Sequence, residues 1–252
     1  MSKPGRVVLI PLLTTIIFLF FWSENFVVAQ DKQYKGIDNH MLRTIEKYRT
    51  PKQNTFFKFI SKWNNPVCLS GPATLFALGI AKPELILRKK SLYGIETIAG
   101  SQFITFSLKY AINRPRPAKR DSTFTAVVNA KNASFPSGHT AEAFAMATAM
   151  SVAVPKWYVI VPAYSWAALV AYSRMYLGVH YPTDILGGAI VGAGSGYLMY
   201  ELNKWLQKND KGNHPANEIT GMFAGLGTAY ILYQANKWIQ KGKRKKSLPT
   251  SS

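Results

Sequence analysis

The sequence predicts an all-α protein: a six-helix, transmembrane bundle with an N-terminal signal segment and amphipathic interfacial helices. Three observations carry that prediction. Apolar stretches recur at about 66–81, 92–108, 138–154, 157–173, 185–200 and 219–236, and none alternates as a half-buried strand would. Several come near the roughly 17 residues that a helix needs to span a bilayer. Small residues fall at four-residue spacing, at Gly188, Gly192 and Gly196 and again at Gly221 and Gly225. That spacing lets helix backbones approach closely in a membrane bundle, and it serves a tightly packed soluble core equally well.

In chain order, residues 1–29 come first. Lys3 and Arg6 precede an apolar run from Val7 to Trp22, followed by Ser-Glu-Asn and a small residue, Ala29. A basic start, an apolar middle and a small residue before the break fit a secretory signal peptide. An uncleaved first transmembrane helix is the alternative, and both readings put residue 31 outside the cytoplasm. Residues 30–65 are basic and amphipathic, with Phe56, Phe57, Phe59, Ile60 and Trp63 set among lysines. Pro51 divides them into two helices, since proline does not sit in a helix interior without cost. Aromatics beside lysines suit a membrane interface, while the same pattern also caps a soluble bundle. Residues 66–240 hold the apolar helices, and 241–252 form a Lys/Arg-rich tail without apolar periodicity, predicted to be disordered.

At 252 residues the chain is one domain with appendages. Its net charge of +19 fits an anionic membrane surface or a phosphorylated substrate. Nucleic acid is not the expected partner, because the apolar segments are long and no recognised binding motif accompanies the charge. The single cysteine, Cys68, excludes an internal disulfide and reads as a small core residue.

Three polar clusters interrupt the apolar second half. The first is Lys109-Tyr-Ala-Ile-Asn-Arg-Pro-Arg116-Pro117, the second Pro136-Ser137-Gly138-His139, and the third runs from Ser173-Arg174 through His180 to Asp184. Six helices in up-and-down order put all of them on one side of a bundle. Arg116 and Arg174 offer planar forks of donors and Lys109 a mobile point charge, a cage for phosphoryl oxygens. Any one of these alone would read as a cation at a helix end reaching for the interface. Ser137 reads as an N-cap, and Gly138 lets a helix N-terminus approach an anion. His139 stands beside that anion. His180 and Asp184 are four apart, so the carboxylate can orient one imidazole nitrogen and aim the other as nucleophile or base. No set of metal ligands appears among them, so no cofactor is expected.

The three clusters, in this order and with this internal spacing, resemble the full signature of the type-2 phosphatidic acid phosphatase superfamily over residues 92–200. The resemblance implies a metal-independent phosphatase that works through a phosphohistidine. In that scheme His180 attacks phosphorus and Asp184 orients it. His139 protonates the leaving oxygen and then activates water. Lys109, Arg116, Arg174, Ser137 and the Gly138 N–H stabilise the phosphoryl oxygens. The implied setting is the inner membrane of a bacterial cell, multi-pass, with the site facing outward. The implied substrates are isoprenyl diphosphate, phosphatidylglycerophosphate, phosphatidic acid or lipid A phosphate; oligomeric state is left open. The same family includes soluble secreted acid phosphatases, and its site resembles that of vanadium-dependent haloperoxidases. A membrane protein that only binds phosphorylated lipids is the non-enzymatic alternative.

Overall fold

The computed structural model describes residues 34–209. The expected signal segment, the apolar stretch at 219–236 with Gly221 and Gly225, and the basic tail lie outside the described residues. Within them the regular structure is helical. A π-type turn at Tyr34–Asp38 leads into α1 (Asn39–Lys47), α2 (Pro51–Ala81) and α3 (Leu85–Ile112). A single turn, α4 (Pro117–Arg120), precedes an irregular segment, then α5 (Gly138–Ala153), α6 (Trp157–Tyr176) and α7 (Pro182–Asn209).

The chain breaks at Pro51 as expected, for a local reason. Thr50 is extended and its Oγ1 accepts the Gln53 N–H at 3.3 Å, while Pro51 fills the first helical position, where no N–H is needed. From there α2 continues without interruption to Ala81, passing through Pro66 and Pro72. Thus the second half of the amphipathic segment and the first apolar stretch form one helix. At the other end of α3, Asn113 takes the left-handed conformation and its N–H bonds to the Lys109 carbonyl at 3.0 Å.

α5 is the centre of the bundle, packed against α2, α3, α6 and α7. Its buried side is mostly alanine, from Ala141 to Ala153, together with Thr140, Glu142 and Met146. The closest approach is by α7. A Cβ on Gly188, Gly192 or Gly196 would lie 2.6 Å from the Ser137 carbonyl oxygen, 2.2 Å from that of Ala141 and 2.6 Å from Thr148 Cγ2. The four-residue glycine spacing is therefore the contact surface on which two helices touch backbone to backbone. Ile60, Cys68, Ile98, Met146 and Val170 close the core between α2, α3, α5 and α6.

Among the described residues no helix is long and apolar enough to cross a membrane, which departs from the expectation of spanning helices. Length alone is not short, since α2 extends about 46 Å at 1.5 Å per residue. Lys, Glu, Gln, Gly, Pro and Tyr side chains dilute its hydropathy and that of its neighbours. The outer surface nevertheless carries exposed Trp63, Ile80, Phe103, Trp157, Ile190 and Tyr197, spread over α2, α3, α6 and α7.

Candidate active site

The three polar clusters meet where α3 ends, α5 begins, α6 ends and α7 begins. Gly178 sets the last of these turns. It has φ of +72°, its N–H bonds to the Met175 carbonyl at 2.8 Å, and the Val179 N–H bonds to that of Arg174 at 3.2 Å. This double bond pattern closes a helix on a left-handed glycine. It reverses the chain so that Val179 and His180 turn back toward α3. Pro182 then opens α7 with Asp184 in its first turn.

His180 is buried, with Nε2 3.2 Å from Arg116 Nη1 and Nδ1 3.5 Å from Asp184 Oδ2. A guanidinium only donates, so Nε2 presents its lone pair to Arg116 and the ring proton sits on Nδ1, facing the carboxylate. Arg116 thus selects this tautomer, and the Asp184 carboxylate lies on the Nδ1 side without a hydrogen bond to it. The Nδ1 contact is long for a hydrogen bond. Asp184 Oδ2 is meanwhile taken by Ser134 Oγ at 2.5 Å and the Tyr181 N–H at 3.0 Å, and Oδ1 by Arg114 Nη1 at 2.6 Å. Burial pushes the His180 imidazolium down to about 3, against the opposing pull of Asp184, so the ring is neutral near pH 7.

Arg116, Lys109 and Arg174 lie within electrostatic reach of one another. Arg116 is pinned by its Nε to the Asn132 carbonyl at 2.8 Å, by Nη2 to Asn132 Oδ1 at 2.6 Å and by Nη1 to the Val179 carbonyl at 2.5 Å. Burial draws its guanidinium down to about 10, which leaves it charged at neutral pH. Lys109 donates from Nζ to the Ala133 carbonyl at 2.7 Å. Arg174 bonds Ser61 Oγ of α2, and its Nε is buried without a partner. Lys109 feels the charges of Arg116, Arg174 and Asp184, and His139 those of Arg174, His180, Arg116 and Lys109.

Ser137 stands at the N-cap of α5 with an extended backbone, but its side chain makes no cap bond. Its Oγ pairs with Thr140 Oγ1 at 2.8 Å, and its N–H goes to the Asp184 carbonyl at 3.0 Å. Thr140, one turn on, competes for the hydroxyl, and that contact replaces the expected N-cap bond. Gly138 opens α5, and its carbonyl receives Gln102 Nε2 at 3.2 Å.

Sequence reasoning missed Asp38, Ser134 and Arg114. Arg114 lies inside the first cluster, two residues before Arg116, and its alternation with prolines was the available signal. Asp38 and Ser134 had none, because their roles depend on partners 145 and 50 residues away. Among the described residues no group of three or more His, Cys, Asp or Glu side chains is placed to hold a metal ion.

The model of one family, the PAP2 superfamily, matches residues 91–208. Residues 91–208 are thus the part of this chain that is similar to that family. The PAP2 segment contains all eight of the residues singled out from the three clusters. Undecaprenyl-diphosphatase BcrC of Bacillus subtilis is 34% identical over 48% of this chain and 61% of its own length. Lipid A 4'-phosphatase of Bacteroides thetaiotaomicron is 32% identical over 37% of this chain and 44% of its own. The chain therefore spans about half the length of these curated relatives. Among solved structures, Aquifex aeolicus LpxE superposes with a TM-score of 0.57 at 29% identity, over 66% of this chain and 96% of that one. A transmembrane PAP2-type phosphatidylglycerolphosphate phosphatase from Bacillus subtilis shares the fold, with a TM-score of 0.58 at 24% identity over 78% of this chain and 98% of that one.

Proposed function

We propose that this chain is a metal-independent phosphatase that removes phosphate from a membrane lipid through a phosphohistidine on His180. The observation that carries the reading is an imbalance of buried charge around a histidine held in one tautomer. Lys109, Arg114, Arg116 and Arg174 are all buried, and the carboxylates among them are Asp38 and Asp184. Three arginines against two carboxylates leave a formal excess of one positive charge. Lys109, drawn down to about 7 by burial and the nearby Arg116, raises it to two when protonated, which matches the roughly two negative charges of a phosphomonoester near neutral pH.

In the first step the His180 Nε2 lone pair attacks phosphorus as the bond to the leaving oxygen breaks. Burial and the surrounding cations hold His139 neutral before substrate binds, so the proton it gives that oxygen is one it takes up as the phosphate dianion binds. Arg116, which holds the lone pair before substrate arrives, turns its donor to a phosphoryl oxygen, and Lys109 and Arg174 share the remaining charge. The ring now bears a positive charge balanced by Asp184. In the second step His139 takes a proton from water, whose oxygen attacks phosphorus. The P–N bond breaks, and His180 returns to its neutral Nδ1–H form.

The exposed aromatic and aliphatic side chains of α2, α3, α6 and α7 support attachment to a bacterial cell membrane. The signal-like N-terminus supports an outward-facing site. The relatives' names support an isoprenyl diphosphate, a phosphatidylglycerophosphate or a lipid A phosphate as substrate.

The test is phosphate release by the detergent-purified protein in EDTA. Isoprenyl diphosphate, phosphatidylglycerophosphate, phosphatidic acid, lipid A and a small soluble phosphoester are offered in parallel, with His180→Ala alongside. Release from one lipid, lost in the variant, is the expected result and names the substrate. Normal turnover by His180→Ala, or release that EDTA abolishes, would sink the mechanism.

A further inference from the structure

The carboxylate that faces His180 is itself held in a buried chain of charges. Arg114 stands between two aspartates, with Nη1 2.6 Å from Asp184 Oδ1 and Nη2 2.9 Å from Asp38 Oδ2. All three side chains are at most 5% exposed. The guanidinium lies 4.0 Å from the ring centroid of Tyr181, which fixes its plane. Its Nη1 also reaches Thr183 Oγ1 at 2.7 Å. Asp38 grips the same residue from the other side, accepting the Thr183 N–H at 3.1 Å and its hydroxyl at 2.6 Å. Asp38 ends the turn before α1, far from the three clusters in sequence.

We infer that Asp38 and Arg114 are positioning residues for Asp184, forming a relay His180–Asp184–Arg114–Asp38 that holds the carboxylate for the phosphohistidine step. The inference rests on His180 as the nucleophile. The chemistry is a matter of charge and aim. When Nε2 bonds to phosphorus the imidazole becomes cationic, and the Asp184 charge must remain turned toward Nδ1–H. Arg114 alone would compete for that charge at 2.6 Å, closer than His180 at 3.5 Å. Asp38 divides the pull of Arg114 between two carboxylates, and the planar fork fixes where Oδ1 sits so that Oδ2 faces the ring. The other charged or titratable groups facing His180 are Lys109, Arg116 and His139. All are on the phosphate side, so the relay is the source of negative charge behind the ring.

The experiment compares the full-length detergent-purified protein with Asp38→Asn, Asp38→Glu, Arg114→Lys and His180→Ala. It measures kcat, KM and inhibition by inorganic vanadate on the lipid found to be turned over. Asp38→Asn is expected to lower kcat on the order of 100-fold, the scale of a small misplacement of a catalytic group. KM and the vanadate inhibition constant should stay within about threefold, the ordinary spread of such measurements, because the cationic cage is untouched. Asp38→Glu should recover much of the loss. Arg114→Lys keeps the charge but cannot bridge both carboxylates, and should show the same loss confined to kcat. A kcat near wild type in Asp38→Asn and Arg114→Lys would overturn the inference. So would a loss of vanadate affinity in parallel with kcat, which would mark a merely structural role. Full turnover in His180→Ala would instead overturn the nucleophile assignment itself.

Discussion

At the scale of single residues the site is defined by what holds each donor. Arg116 makes side-chain bonds to Asn132 and Val179 and faces His180. A lysine cannot reproduce that fork, since an ammonium is a single point of charge. Arg116→Lys should therefore lower kcat about 100- to 1,000-fold, the measured scale for removing one donor that stabilises developing charge. Steady-state kinetics would check it, and a drop below tenfold would mean that Arg116 only supports the Asn132 loop. His180 also links the fold to pH. Its folded form is held neutral down to about 3, whereas an unfolded histidine takes a proton near 6.5. The unfolded chain then binds more protons below that value, so this contribution is complete above about pH 6.5 and is lost as pH falls toward 3. Thermal unfolding midpoints from pH 7 to 4.5 should fall more steeply in wild type than in His180→Asn. Parallel slopes would contradict the buried neutral imidazole.

At the scale of elements, the pair α5–α7 holds the proposed acid, His139, and the proposed orienting carboxylate, Asp184. His139 lies in the first turn of the first helix and Asp184 in the first turn of the second, and the glycine contact fixes their separation. Gly192→Ala would drive a methyl to 2.2 Å from the Ala141 carbonyl oxygen, while a Cβ on Gly194 meets nothing within 4 Å. The first substitution should destabilise by about 1–3 kcal/mol through overpacking and reduce turnover as well. The second should be neutral or stabilise by roughly 0.5–1 kcal/mol, as glycine-to-alanine in a helix interior does. Unfolding midpoints of the two variants in detergent would separate them, and equal effects would mean that the helices adjust freely. Much of this was legible in advance. The glycine spacing, the break at Pro51 and the gathering of the clusters at one end all follow from local patterns. Two things did not. Thr140 takes the Ser137 hydroxyl because the side-chain rotamers in the first turn of α5 bring the two oxygens to 2.8 Å. Pro72 is accommodated within α2 by contacts that come from α3, where Gly94 leaves room for its ring and Ser91 Oγ bonds its carbonyl at 2.8 Å.

At the scale of the whole molecule, three buried arginines and Lys109, which burial draws down to about 7, face two carboxylates, so an arriving anion relieves the excess positive charge. Inorganic phosphate or vanadate should raise the unfolding midpoint, with the gain growing as the logarithm of concentration above the dissociation constant. Arg174→Gln should blunt that gain. Indifference of the midpoint to millimolar vanadate would argue that the cage does not close on oxyanions. The hydropathy of the described helices follows from the same design, because the lysines, amides and glycines that build the site and its packing dilute the apolar runs around them.

The side-chain ties of Arg114 to Asp38 and of Arg174 to Ser61 reach outside residues 91–208. A chain trimmed to that segment would keep every signature residue and lose both tethers, along with the α2 face of the core. The smallest unit able to work is thus set by its anchoring rather than by its motifs. Grafting the three motifs onto another helical scaffold would transplant the reagents of the reaction without the frame that aims them.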